Sequence, residues 1–139
     1  MDLRRLTPTL SVAPQIAPEE LSAAAAAGFT TLICNRPDGE QPGQPDHEAM
    51  ARAAEAAGMR FVFLPAVSGQ VNEAQGRAFG EALAQADGPV LAYCRSGTRS
   101  TQLWALSQAG KRPWTEVLQA AAAAGYDLSR MPPPASAQG

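Results

Sequence analysis

The chain is poor in the residues that build metal and disulfide frameworks. Its 139 residues include two cysteines and one histidine. That is too few for a zinc-finger-type site, which takes four Cys or His ligands, and too few for a disulfide scaffold; no metal or other cofactor is expected. An excess of charge is missing too. Eleven basic and 13 acidic residues leave a net charge of −2, which gives no electrostatic footprint for nucleic acid or an anionic membrane. Long apolar runs are absent. The opening MDLRRLTPTL shows no apolar stretch ahead of a cleavage site, and no segment approaches the ~18 apolar residues of a membrane span. The expectation is a cytoplasmic chain in which thiols stay reduced. At 45% hydrophobic and 17% charged, it has material for a core and too few charges for disorder.

What is present is regular. Residues 9–13 (TLSVA), 29–34 (FTTLIC), 60–65 (RFVFLP) and 90–93 (VLAY) are short apolar or β-branched runs, read as strands. Between them lie helical segments. One opens at Pro18 with Glu19 and Glu20 in its first turn and stops at Gly28; a second covers about 46–57 with Asp46 as its cap. Asn72 caps a third that runs to Ala86, a fourth follows the last strand to Ala109, and a fifth covers Trp114–Ala124. Alternating strands and helices predict an α/β domain with a mostly parallel central sheet flanked by helices. Residues 1–130 are expected to form that domain and residues 131–139 a disordered tail. In such sheets ligands bind at the carboxyl ends of the strands, where the loops 35–46, 65–72 and 94–99 fall.

The chemistry concentrates in Tyr93-Cys94-Arg95-Ser96-Gly97-Thr98-Arg99-Ser100. A buried strand delivers Cys94 to the sheet edge, a short loop with Gly97 follows, and a helix begins. Backbone N–H groups of such a loop form an anion cradle. Arg95, Arg99 and the helix start add positive charge, which favours a nucleophilic thiolate. Two enzyme classes carry comparable loops. Cysteine phosphatases have C-x5-R, sized for a phosphoryl group; rhodaneses have a six-residue loop sized for a persulfide sulfur. Cys94 to Arg99 is C-x4-R, and Ser100 stands where the phosphatase arginine would fall. The loop resembles that of rhodanese.

The rest of the chain, over roughly residues 5–125, resembles the beta-lactamase hydrolase-like family. The resemblance rests on LSVAPQI, ICNRPDGEQPGQP, LPAVSGQV and AYCRSGTRS. It implies a dual-specificity-phosphatase-like fold, with a rhodanese-like fold as the alternative. Members stand alone or fused to metallo-β-lactamase-fold hydrolases or sulfide-oxidising enzymes, so a sulfide-oxidising or persulfide dioxygenase partner is implied.

One absence separates the activities. A phosphatase of this fold keeps an aspartate in the loop after the third strand to protonate the leaving oxygen. Here that loop, Pro65 to Asn72, contains none. Sulfur transfer needs such an acid less. The expectation is therefore a sulfurtransferase, with Cys94 as nucleophile and Arg99 holding the anionic donor. Thiosulfate or a persulfide such as glutathione persulfide would give its sulfane sulfur to Cys94, and sulfite, cyanide or a thiol would accept it. Arg95, Ser96, Gly97, Thr98 and Ser100 would line the cradle, the hydroxyls of Thr98 and Ser100 donating to sulfur. A cysteine-dependent phosphatase is the alternative, with Asp38 or Glu40 recruited as acid; a non-catalytic persulfide carrier or docking module is another. Arg36, Asp38 and Gln70 are candidates for the pocket rim. Cys34 and Trp104 read as core residues, and His47 as solvent-facing.

Overall fold

A computed structural model describes residues 1–134. It holds five strands and five helices in the order β1 (Arg4–Thr7), β2 (Leu10–Ala13), a 3-10 turn at Pro18–Glu20 running into α1 (Leu21–Ala26), β3 (Thr31–Cys34), α2 (His47–Ala56), β4 (Arg60–Phe63), α3 (Glu73–Gln85), β5 (Val90–Tyr93), α4 (Thr98–Ser107) and α5 (Trp114–Ala123). The sheet order is β1-β2-β5-β3-β4. All neighbours are parallel except β1, which pairs antiparallel with β2.

The β1 strand is the element that the sequence hides. Arg4-Arg5-Leu6-Thr7 has one apolar residue, and only Leu6 is buried. A charged edge strand carries no hydrophobic signal, and such charges keep an edge from pairing with other chains. Elsewhere the elements lie close to their expected bounds. Asp46 accepts the Ala49 N–H at 2.8 Å and Asn72 accepts that of Gln75 at 2.9 Å, both as N-caps. The first helix departs, because its opening turn is 3-10 before α1 begins. Glu20 folds back there to accept the Ala17 N–H.

Side chains of period two divide the core. Val90 and Ala92 of β5, with Ile33 of β3, face the layer containing Phe79, Leu103, Trp104 and Val117 from α3, α4 and α5. Leu91, Tyr93, Leu32 and Cys34 face Leu21, Met50 and Ala54 of α1 and α2. Trp104 and Cys34 are buried, as expected for core residues. Gly76 of α3 lies against Leu106 of α4 with no room for a Cβ, so the two helices pack closely there. Met131 packs against the first layer; residues 135–139 of the expected tail lie outside the described residues. No helix among the described residues is long and apolar enough to cross a membrane.

Register sets the site. Ala13 pairs with Tyr93, Tyr93 with Cys34, and Cys34 with Phe63. Four strands thus end on one line, and their following loops share one edge. Three of these loops were expected there. The fourth, after β2, joins them through Gln15, whose N–H donates to the Arg95 carbonyl at 3.2 Å.

Candidate active site

Cys94 leaves β5 directly and is fully buried beneath its loop. The Gly97 N–H donates to its Sγ at 3.1 Å, so the loop curls back over the sulfur. Gly97 caps α4 with φ of +92°, a conformation that disfavours any residue with a Cβ. A Cβ there would also run into the Tyr126 hydroxyl, which donates to the Ser96 carbonyl at 3.1 Å. The Ser96 and Thr98 hydroxyls bond to each other at 3.0 Å. Arg95 and Ser96 are exposed, whereas Gly97 and Arg99 are buried.

Arg99 is fixed from the second loop. Its Nη1 donates to Glu40 Oε2 at 2.7 Å and to the Ala66 carbonyl at 3.0 Å; its Nη2 donates to Glu40 Oε1 at 2.9 Å. The carboxylate thus grips the end of the guanidinium fork. The Nε–H and the second Nη2–H, parallel along the other edge, are left to receive two oxygens of an anion. The Cys94 thiol is close enough to interact with this guanidinium by charge and hydrogen bonding. The Glu40 hydrogen bonds hold Arg99 above its ordinary range, burial opposes this, and Cys94 adds to it.

Glu40 is itself held twice. Its Oε1 also accepts from Arg36 Nε at 2.8 Å. The Arg99 hydrogen bonds, joined by those of Arg36, bring its carboxyl down to about 2 against an opposing push from burial. Arg36 is only 2% exposed and spends its other nitrogens on Gln15 Oε1 and Gln41 Oε1, both at 3.0 Å. A chain of contacts therefore runs from the loop after β2, through the loop after β3, to the cradle.

Several expected site residues lie elsewhere. Arg36 is not on the rim; it is buried behind Glu40, because its guanidinium is consumed by three side-chain acceptors. Asp38 turns outward, accepting the His47 N–H at 2.8 Å and meeting His47 Nδ1 at 2.5 Å. His47 is not solvent-facing but half-buried, stacked on Phe63 with ring centroids 4.0 Å apart. Gln70 is exposed, its N–H donating to the Val67 carbonyl. Ser100 does not donate to sulfur. Its hydroxyl donates to Asn35 Oδ1 at 2.8 Å, and Asn35 in turn donates to the Leu64 carbonyl at 2.9 Å. The residue in the phosphatase arginine's sequence position is thus a structural tie between α4 and the loop after β3.

A cleft of about 610 Å³ opens above the loop. Arg95, Ser96, Thr98 and Arg99 form one wall; Glu40 and Gln41 form the second; Ser68, Gly69 and Gln102 complete it. Among the described residues no group of three His, Cys, Asp or Glu side chains is placed to hold a metal ion. Glu40, Gln15 and Gln41 are the residues holding the two arginines that a reading of motifs passes over or undervalues. Only the i,i+4 spacing of Arg36 and Glu40 in NRPDGE hinted at their pairing.

Comparison with known proteins agrees with this architecture. A curated beta-lactamase hydrolase-like protein of Agrobacterium fabrum is 37% identical over 126 residues, covering 89% of this chain. The match takes in 29% of that relative, so the chain spans under a third of the length of such proteins. The crystal structure of a candidate phosphatase from Neisseria meningitidis superposes with a TM-score of 0.85 at 35% identity, covering 94% of this chain and 93% of that one. Tk-PTP in its active form shares the fold, with a TM-score of 0.68 at 16% identity over 95% of this chain and 86% of that one. The fold is therefore cysteine-phosphatase-like rather than rhodanese-like. The profile of the beta-lactamase hydrolase-like protein, phosphatase-like domain, matches residues 2–111, and the chain belongs to that family.

Proposed function

We propose that this domain is a cysteine-dependent phosphomonoesterase. One observation carries the reading: an arginine whose fork is gripped end-on by a carboxylate, with its Nε–H edge not spent on any oxygen among the described residues, close to a cysteine that itself accepts a helix-capping N–H. Two parallel donors suit two oxygens of a tetrahedral oxyanion. The likeness to a candidate phosphatase over nearly the whole chain supports the same reading, and it replaces sulfur transfer as the leading one.

In this mechanism the phosphoryl group seats in the loop, with Arg99 on two of its oxygens and the loop N–H groups around them. Cys94 has no exposed surface and lies beneath the Gly97 N–H that donates to its sulfur. The thiolate attacks phosphorus, the bond to the leaving oxygen breaks, and a phosphocysteine forms. Water then attacks phosphorus, and the S–P bond breaks to return the thiolate and release phosphate. Preorganised donors act on the charge that grows on the phosphoryl oxygens.

The test is hydrolysis of p-nitrophenyl phosphate by the purified chain and by Cys94→Ser. Turnover in the parent chain with a loss of at least about 10³-fold in the variant is expected. Equal rates in both would overturn the reading.

The loop length supports a second reading. Cys94 and Arg99 are separated by four residues, as in a persulfide cradle. Under sulfur transfer, thiosulfate would leave a Cys94 persulfide and release sulfite. A gain of about 32 Da on the intact chain, reversed by cyanide and missing in Cys94→Ser, would place this reading ahead of the first.

A further inference from the structure

We propose that the site acts on phosphoryl groups whose leaving oxygen departs as a stable anion, an acyl phosphate or the phosphate of an acidic phenol, and does not act on alkyl phosphates. This rests on the phosphomonoesterase reading and narrows its substrate class.

The argument is an inventory of proton donors. Among the described residues lining the cleft, Glu40 is the only carboxyl group, and both of its oxygens accept guanidinium hydrogen bonds at 2.7–2.9 Å. It is held as a carboxylate and has no proton to give near neutral pH. Asp38 is turned away onto His47. The loop after β4, from which an acid would be expected to reach the leaving group, lines the cleft with Ser68 and Gly69, flanked by an exposed Val67. The remaining lining groups are arginines, amides and aliphatic hydroxyls, which donate hydrogen bonds but do not release protons at neutral pH. The Tyr126 hydroxyl is committed to the Ser96 carbonyl. The cleft thus stabilises charge on the phosphoryl oxygens and leaves charge on the departing oxygen unneutralised.

The step balances without an acid. The Cys94 thiolate and a phosphate monoester dianion give a phosphocysteine dianion and the free oxyanion of the leaving group. The electron pair of the broken P–O bond stays on that oxygen. Water then converts the phosphocysteine to thiolate and dihydrogen phosphate. A carboxylate, or a phenolate of low pKa, leaves readily in this way. An alkoxide does not, and general acid catalysis contributes about 10²–10⁴-fold where it operates.

The experiment measures kcat/KM for acetyl phosphate, a series of ring-substituted phenyl phosphates and an alkyl phosphate such as phosphoserine. The parent chain and Glu40→Gln are run side by side. The expected result is a steep fall in rate as the leaving-group pKa rises, amounting across the series to about the 10²–10⁴-fold that general acid catalysis would otherwise supply. Phosphoserine hydrolysis should not rise above background. Glu40→Gln should lower every rate and keep the slope. A shallow slope, with phosphoserine within ten-fold of phenyl phosphate on the order of a normal acid-assisted enzyme, would overturn the proposal. So would a slope that steepens only in Glu40→Gln, since it would make Glu40 the missing acid. Failure to hydrolyse any phosphoester would instead overturn the phosphomonoesterase reading and this proposal with it.

Discussion

The two loops that border the cleft beside the cradle are built in opposite ways. The loop after β3, residues 35–46, is bound on all sides: Asn35 to Ser100 and Leu64, Arg36 to Gln15 and Gln41, Glu40 to Arg99, and Asp38 to His47. The loop after β4, residues 65–71, is bare. Val67, Ser68, Gly69 and Gln70 are exposed, and its anchors are backbone groups, the Ala66 N–H on Asn35 and the Ala66 carbonyl on Arg99. One side of the site is preorganised to hold an anion. The other is open to whatever the anion is attached to. Loops of the second kind vary easily, because no network depends on them.

The difference is breakable. Among changes that break this contrast, the largest effect should come from Glu40→Gln, which removes the charge that grips Arg99. A shift of Arg99 by about 1 Å is worth on the order of 10²-fold in rate. We expect kcat/KM for p-nitrophenyl phosphate to fall by that factor, measured against a circular dichroism spectrum that stays unchanged. Next is Gly97→Ala, which forces a side chain into left-handed backbone and against Tyr126. About 1–3 kcal/mol of stability should be lost, read by urea denaturation. A denaturation midpoint equal to that of the parent chain would show that the loop relaxes freely.

Acid should act on the bound loop and spare the bare one. Glu40 has its carboxyl brought from an ordinary 4.5 to about 2 in the folded chain. A depressed carboxylate adds stability that is complete above the unfolded value and is lost as pH falls through the folded one. Stability should therefore hold steady near neutrality and decline between about 4.5 and 2, with a smaller decline over that window in Glu40→Gln. Thermal melts across pH will test this. The smallest effect belongs to the open side. Val67→Ser and Gln70→Ala should change stability by no more than about 0.5 kcal/mol and rate by less than about two-fold. A larger change in rate would mean that this loop closes over substrate.

The same contrast explains what could be seen in the sequence. The cradle was legible because its chemistry is contiguous: a cysteine at the end of an apolar strand, a glycine and an arginine within six residues. The parallel sheet was legible because VLAY and FTTLIC are apolar on both faces, as buried strands must be. Glu40 reads in the sequence as a candidate acid, whereas in the fold it accepts from two arginines, at positions 36 and 99, of which only the second meets it through the fold. Gln15 was invisible, since its role depends on the register of β2 with β5. Arg4–Thr7 carried too little apolar character to announce a strand. Ser100 looked like part of the cradle by position, yet one helical residue past Arg99 points it at Asn35 instead.

The end-on grip of Glu40 on Arg99 also has a thermodynamic side. An arginine side chain carries about 2 kcal/mol of rotamer entropy. Here that freedom is given up when the chain folds, by a partner already in place. An oxyanion arriving at the cradle meets an arginine with little left to lose. Its association should therefore show a less unfavourable entropy than binding to a mobile arginine would, and Glu40→Gln should move that entropy more than the enthalpy.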